Sequence, residues 1–212
     1  SRKIDSVSVK LIRKNENVGE VFSSEMPVGM FTECMVVPTC GLCDAEGVIG
    51  NEDQEYSFYL PERINAGLIW SAAGFVEYRF ANGMFSDNRI KRVCVTMEIC
   101  SEAPGYREDW KSDITVWING VECGTWTSPG DFGHRRGRLT SAVRPNGSTQ
   151  YGMLVNWEVK EDGGYVNGER VENVTIDELN LNEKSYVTVR IGNKPDAQYV
   201  GGFNIFGKNA PL

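Results

Sequence analysis

Apolar and polar residues alternate along this chain in short runs that recur from end to end. Val7-Ser8-Val9-Lys10-Leu11 alternates, and so do residues 75–80 before Asn82-Gly83, a turn pair. Val93, Val95, Met97 and Ile99 fall on one parity, with Cys94, Thr96, Glu98 and Cys100 on the other. Met153, Val155, Trp157 and Val159 form a further stripe, and Val187, Val189 and Ile191 another. A two-residue period marks strands with one buried face, because successive side chains leave the pleat on opposite sides. No segment sustains a long helical period. Short helical turns are expected within residues 61–70 and at residues 175–179, where Thr175 and Glu178 have capping-box spacing. The pattern predicts an all-β fold, an antiparallel two-sheet β-sandwich with one or two short helices.

The clearest local element is a hairpin. Ile114, Val116 and Ile118 alternate up to Asn119-Gly120, and Val121 to Trp126 leads away from it. Asn-Gly tolerates the positive φ that a type I′ turn needs at both central positions, and the twist of that turn matches its strands. A two-residue loop sets the register, pairing Ile118 with Val121 and Val116 with Cys123. On that register Ile114, Val116, Ile118, Val121 and Cys123 share the core face, and Trp117, Glu122 and Trp126 lie on the other. Asn167-Gly168 predicts a second hairpin, between Tyr165-Val166 and Glu169-Arg170-Val171.

At 212 residues, with 23 Gly and 8 Pro spread rather than clustered, the chain fits one sandwich domain over residues 1–212. It begins with Ser rather than Met, which suits a piece of a longer protein. No apolar run is long enough to cross a bilayer, and no signal-peptide pattern opens the chain, so no membrane partner is expected. The net charge of -7 works against duplex DNA, which is bound through clustered Lys and Arg, so direct nucleic-acid contact by this chain is not expected either. Six cysteines occur, and Cys94 and Cys100 share a parity within one strand. That usage suits reduced thiols packed as small hydrophobes, in a cytoplasmic protein.

The most unusual stretch is residues 127–138, which follow the hairpin and should form a loop at one end of the sandwich. Its three glycines let backbone approach a ligand, and Arg135, Arg136 and Arg138 carry planar donor forks suited to carboxylates, phosphates or sugar hydroxyls. Asp131 can accept hydroxyl protons, His134 stands in the same loop, and Trp117 and Trp126 offer flat faces beside it. Together these seven residues are the candidate site for a small polar ligand; the competing expectation is that Asp131 pairs with an arginine to pin the loop. Ser128, Asp131 and His134 supply the residue types of a nucleophilic triad, but triads are assembled from separate segments held rigidly. Cys40-x2-Cys43 has half the spacing of a zinc site and no second pair follows, so no metal is expected. The acidic pairs, such as Glu52-Asp53 and Glu161-Asp162, sit beside turn signals and read as solvated turn residues. No catalytic apparatus and no cofactor motif emerge.

Several stretches carry a family resemblance: residues 73–80, 98–105, 112–120, 124–133, 135–137, 150–154 and 200–207. In these the chain resembles the C-terminal effector-type domain of bacterial transcriptional regulators whose N-terminal half is an ArsR-like winged helix. The resemblance implies DNA binding through a part outside this chain, and a homodimer. It supplies no effector. His134 departs from the family pattern, which has Gly there, and of the cysteines near residue 40 only Cys40 belongs to it. A strand ending in Asn-Gly, followed by Gly and an aromatic, is also similar to galactose-binding-like jelly rolls, which implies a jelly-roll sandwich and a sugar-like ligand. The leading expectation is thus a ligand-sensing or dimerisation domain of a transcriptional regulator. A carbohydrate-binding module of a larger enzyme comes next, and a hydrolase last.

Overall fold

The computed structural model describes residues 6–13, 20–84, 90–137 and 145–207, and among these the alternating runs become fourteen strands. In chain order they are β1 (Val7–Arg13), β2 (Glu20–Met26), β3 (Glu33–Val36), β4 (Cys40–Cys43), β5 (Leu68–Ser71), β6 (Gly74–Ala81) and β7 (Ile90–Cys100). Then come β8 (Ser112–Ile118), β9 (Val121–Ser128), β10 (Met153–Lys160), β11 (Gly163–Val166), β12 (Glu169–Glu172), β13 (Tyr186–Gly192) and β14 (Phe203–Phe206). Helix is confined to short 3-10 turns at Glu55–Tyr59, Pro61–Asn65 and Ile176–Leu179. None of the described helices is long and apolar enough to cross a membrane.

The strands form two antiparallel sheets arranged as a sandwich. The larger runs β12-β11-β10-β7-β14-β5-β4, and the smaller runs β3-β6-β13-β8-β9. Strand β7 is long enough to serve two neighbours along one edge, β1 over its first half and β14 over its last residues, with β2 beyond β1. The sequence stripes face inward as expected: Val93, Val95, Met97 and Ile99 of β7 join Val155, Trp157 and Val159 of β10 and Val187, Val189 and Ile191 of β13 in one core. Burying each such side chain contributes about 2 kcal/mol before entropy costs. Met153, at the start of its stripe, stays 41% exposed.

Both Asn-Gly hairpins form, with positive φ at Asn119, Gly120, Asn167 and Gly168. The capping box forms too: the Glu178 carboxylate accepts hydrogen bonds from the Thr175 N–H and hydroxyl, each at 2.7 Å. The helix expected within residues 61–70 stops at Asn65. Leu68–Ser71 instead becomes β5, because the apolar run Leu68-Ile69-Trp70 after Gly67 can be buried on both faces between β4 and β14.

The first hairpin corrects its predicted register. Ile118 pairs with Val121 and Trp117 with Glu122, but Val116 then pairs with Gly124 rather than Cys123. Cys123 is the extra residue of a bulge. Gly124 beside it has φ 131°, a backbone region that side chains disfavour, and its carbonyl accepts the indole N–H of Trp157 at 3.2 Å. One extra residue reverses the parity of everything beyond it. Trp126 therefore pairs with Ile114 and packs against the core, on the face opposite to Trp117.

Candidate ligand-binding cleft

Where β4, β5, β14 and β7 lie side by side, two rows of side chains cross the outer face of the large sheet. One row is Gly41, Trp70, Asn204 and Cys100; the next is Cys43, Leu68, Phe206 and Glu98. Cys43, Leu68, Cys100 and Phe206 make a small apolar cluster there, with Trp70 and Phe132 packed on it. A Cβ at Gly41 would stand 2.3 Å from the Trp70 ring, so the indole lies across the space that the glycine leaves.

Above this floor opens a cleft of about 380 Å³, within the range of roughly 300–1,000 Å³ common for small-molecule sites. Cys43, Trp70 and Asn204 line its base. One wall is the loop after β4, with Asp44, Gly47, Val48, Glu52 and Asp53; the other is Glu102 to Gly105 with Pro145, Ser148 and Thr149. The first wall is held by its own acids. Asp44 Oδ1 accepts the N–H groups of Glu46 (2.8 Å) and Gly47 (3.1 Å), and Asp53 Oδ1 accepts that of Cys40 (2.8 Å).

At the base the polar groups are buried and almost fully matched. Glu102, 6% exposed, accepts the Thr39 hydroxyl on Oε1 at 2.9 Å and the Asn204 amide on Oε2 at 2.7 Å. The same Asn204 Nδ2 donates to the Ser101 carbonyl at 2.7 Å. Two acceptors around one nitrogen settle which end of the amide is which. That leaves Asn204 Oδ1, wholly buried, without a hydrogen-bond partner. An unmatched buried carbonyl oxygen costs about 1–3 kcal/mol.

The lining contains four carboxylates (Asp44, Glu52, Asp53 and Glu102) and no Lys, Arg or His among the described residues. On the other face of β4 the Cys40 thiol is pushed up to about 11, by burial first and then by Asp53 and Glu55. The Cys100 thiol is raised as well, by burial and then by Asp131.

The residues singled out from sequence are placed differently from one another. Asp131 is fully buried and accepts the Ala103 N–H at 3.1 Å and the Thr149 hydroxyl at 3.0 Å, both on Oδ2. Ala103 and Thr149 are cleft-wall residues, so Asp131 braces the cleft from behind. His134 and Arg135 meet around Tyr151: the imidazole stands edge-on to that ring at 6.1 Å, and the guanidinium lies 4.6 Å over it. Tyr151 stacks in turn on Phe132, and the His134 Nδ1 contacts the Glu108 carboxylate. Desolvation works to raise the Glu108 carboxyl, but hydrogen bonds from the His134 ring and backbone outweigh it and hold it below the usual range. Arg136 is exposed, and Arg138 lies outside the described residues. Trp126 turns to the core, while Trp117 borders a separate hollow on the small sheet with Phe75 and Arg190. Ser128 is buried and donates to the Gly130 carbonyl, so the three triad residue types have separate partners. Cys40 belongs to the core and Cys43 to the outer cluster, on opposite faces of β4, so their spacing makes no half-site for a metal.

Sequence reasoning did not mark Trp70, Glu102 or Asn204. Glu102 and Asn204 do lie in stretches that carry the family resemblance, which was the one signal available. Comparison with known proteins finds no matching family model, no matching curated protein and no matching solved structure.

Proposed function

We propose that this chain is a non-catalytic ligand-binding domain that takes a small, polyhydroxylated, sugar-like molecule in the Trp70 cleft. The sequence resemblance supports a setting in a bacterial transcriptional regulator, where binding would be the sensed event and DNA contact would belong to another part of the protein. The observation that carries the reading is the Asn204 amide oxygen, buried at the base of a cleft and lacking a partner. Buried polar atoms in folded proteins are nearly always matched, and an unmatched one lining a cavity supports a reading in which a bound group supplies its partner. An aromatic face beside a few fixed polar groups is the make-up of a site for a ring bearing hydroxyls. The arginine loop, marked from sequence, contributes through Asp131, which positions two wall residues.

A panel of small sugars and polyols titrated against the chain, followed by intrinsic tryptophan fluorescence and melting temperature, tests this. Binding is expected to perturb Trp70 emission, and Trp70→Ala should weaken it by about ten-fold or more. A panel that shifts neither signal, or a shift that survives in Trp70→Ala, refutes the assignment.

A further inference from the structure

Resting on the reading of the cleft as a ligand site, we infer that its ligand carries positive charge: an amine-bearing polyhydroxylated ring, of amino-sugar chemistry, rather than a neutral sugar, a sugar acid or a sugar phosphate. One observation calls for a hydrogen-bond donor, and two give the sign of its charge.

The first is the kind of atom left unmatched. Asn204 Nδ2 is committed to the Ser101 carbonyl and to Glu102 Oε2, each at 2.7 Å, so the atom without a partner is the acceptor Oδ1. Only a hydrogen-bond donor can satisfy it. An ammonium and a hydroxyl both supply such a donor, so the choice between them falls to the charge of the cleft.

The second is the sign of the charge around it. Four carboxylates line the cleft and no basic side chain does among the described residues. The groups that hold Asp44 and Asp53 are backbone N–H groups, which satisfy hydrogen bonds without cancelling charge. A phosphate or carboxylate would meet repulsion from these four groups, and no donor fork lines the cleft among the described residues. Of the described arginines in the neighbouring loop, Arg135 is engaged on the ring of Tyr151.

The third is Trp70. Its indole, seated across Gly41, lines the same cleft as the carboxylates. An indole face attracts a cation through its quadrupole as well as stacking on a ring, so a charged amine gains from both the floor and the walls.

The test compares matched probes by calorimetry and tryptophan fluorescence at neutral pH and low salt. Glucosamine and galactosamine are set against glucose and galactose, with glucose 6-phosphate as the anion. The amino sugars are expected to bind at least about ten-fold more tightly than their neutral partners, as a desolvated charge pair at a few ångströms would give, and the phosphate not to bind. Glu52→Gln, which removes one exposed rim charge, should weaken amino-sugar binding by roughly two- to five-fold and leave the melting temperature unchanged, and added salt should act in the same direction. Neutral sugars binding as tightly as amino sugars, or Glu52→Gln without effect on affinity, overturns the charge assignment while leaving the cleft as a binding site. Failure of every probe at millimolar concentration overturns both.

Discussion

The arginine loop and the Trp70 cleft lie on either side of the end of β7, and each sets an aromatic ring among polar side chains. In the loop those groups are taken up by neighbouring segments. His134 holds Glu108, Arg135 covers Tyr151, and Asp131 is enclosed by the Ala103 N–H and the Thr149 hydroxyl. In the cleft the matching stops one atom short, at Asn204 Oδ1, and a cavity stands over the row that contains it. The loop has more of the residue types associated with binding, yet the unmet valence lies in the cleft. Composition records which polar groups are present; only the partner of each one separates groups that build the fold from a group still available to something else.

The largest effect should come from Asp131. Asp131→Ala takes the acceptor from the buried Ala103 N–H and leaves the Thr149 hydroxyl its longer bond to the Gly105 carbonyl, at 3.5 Å, and should cost about 2–3 kcal/mol in denaturant unfolding, with loss of whatever the cleft binds. If the variant is as stable as the parent, the loop is not the structural half of the pair and the contrast collapses.

A smaller loss is expected on the cleft floor. Gly41→Ala places a methyl group 2.3 Å from the Trp70 ring, so the indole must shift. Overpacking of this kind costs about 1–2 kcal/mol. Tryptophan emission should move, and ligand response should fall further than stability does. Unchanged emission would mean that the floor is looser than described.

Arg135→Ala should be milder still. An exposed guanidinium over a half-buried ring contributes about 0.5–1 kcal/mol, so melting should move little and ligand affinity in the cleft not at all. A loss of affinity with stability intact would return the binding site to the arginine loop.

The smallest effect is one of pH. The folded Glu108 carboxyl lies below its ordinary value of 4.5, so the favourable contribution of its contact with His134 is complete above that value and disappears as pH falls through the depressed one. The stability difference between the parent and Glu108→Gln should therefore shrink toward zero as pH falls below 4.5. A difference that grows on acidification would show that the contact does not stabilise the ionised carboxylate.

Much of this molecule is determined by residues close together in the chain. The alternation of Val93 to Ile99, the Asn-Gly turns and the Thr175–Glu178 capping box each depend on neighbours a few positions apart, and each forms as its local chemistry requires. What depends on distant neighbours could not be read that way. The bulge at Cys123 reverses the face of Trp126, and Gly124 inside a strand pattern is its only local trace. The cleft floor joins Gly41, Trp70, Asn204 and Cys100 from four strands, and their adjacency exists only once β14 slots between β5 and β7. Asp131 and Asn204 are both polar residues on the same side of the sandwich. One finds its donors at Ala103 and Thr149 and the other keeps an oxygen without one, because hydrogen bonding is settled by geometry across the fold and not by residue type.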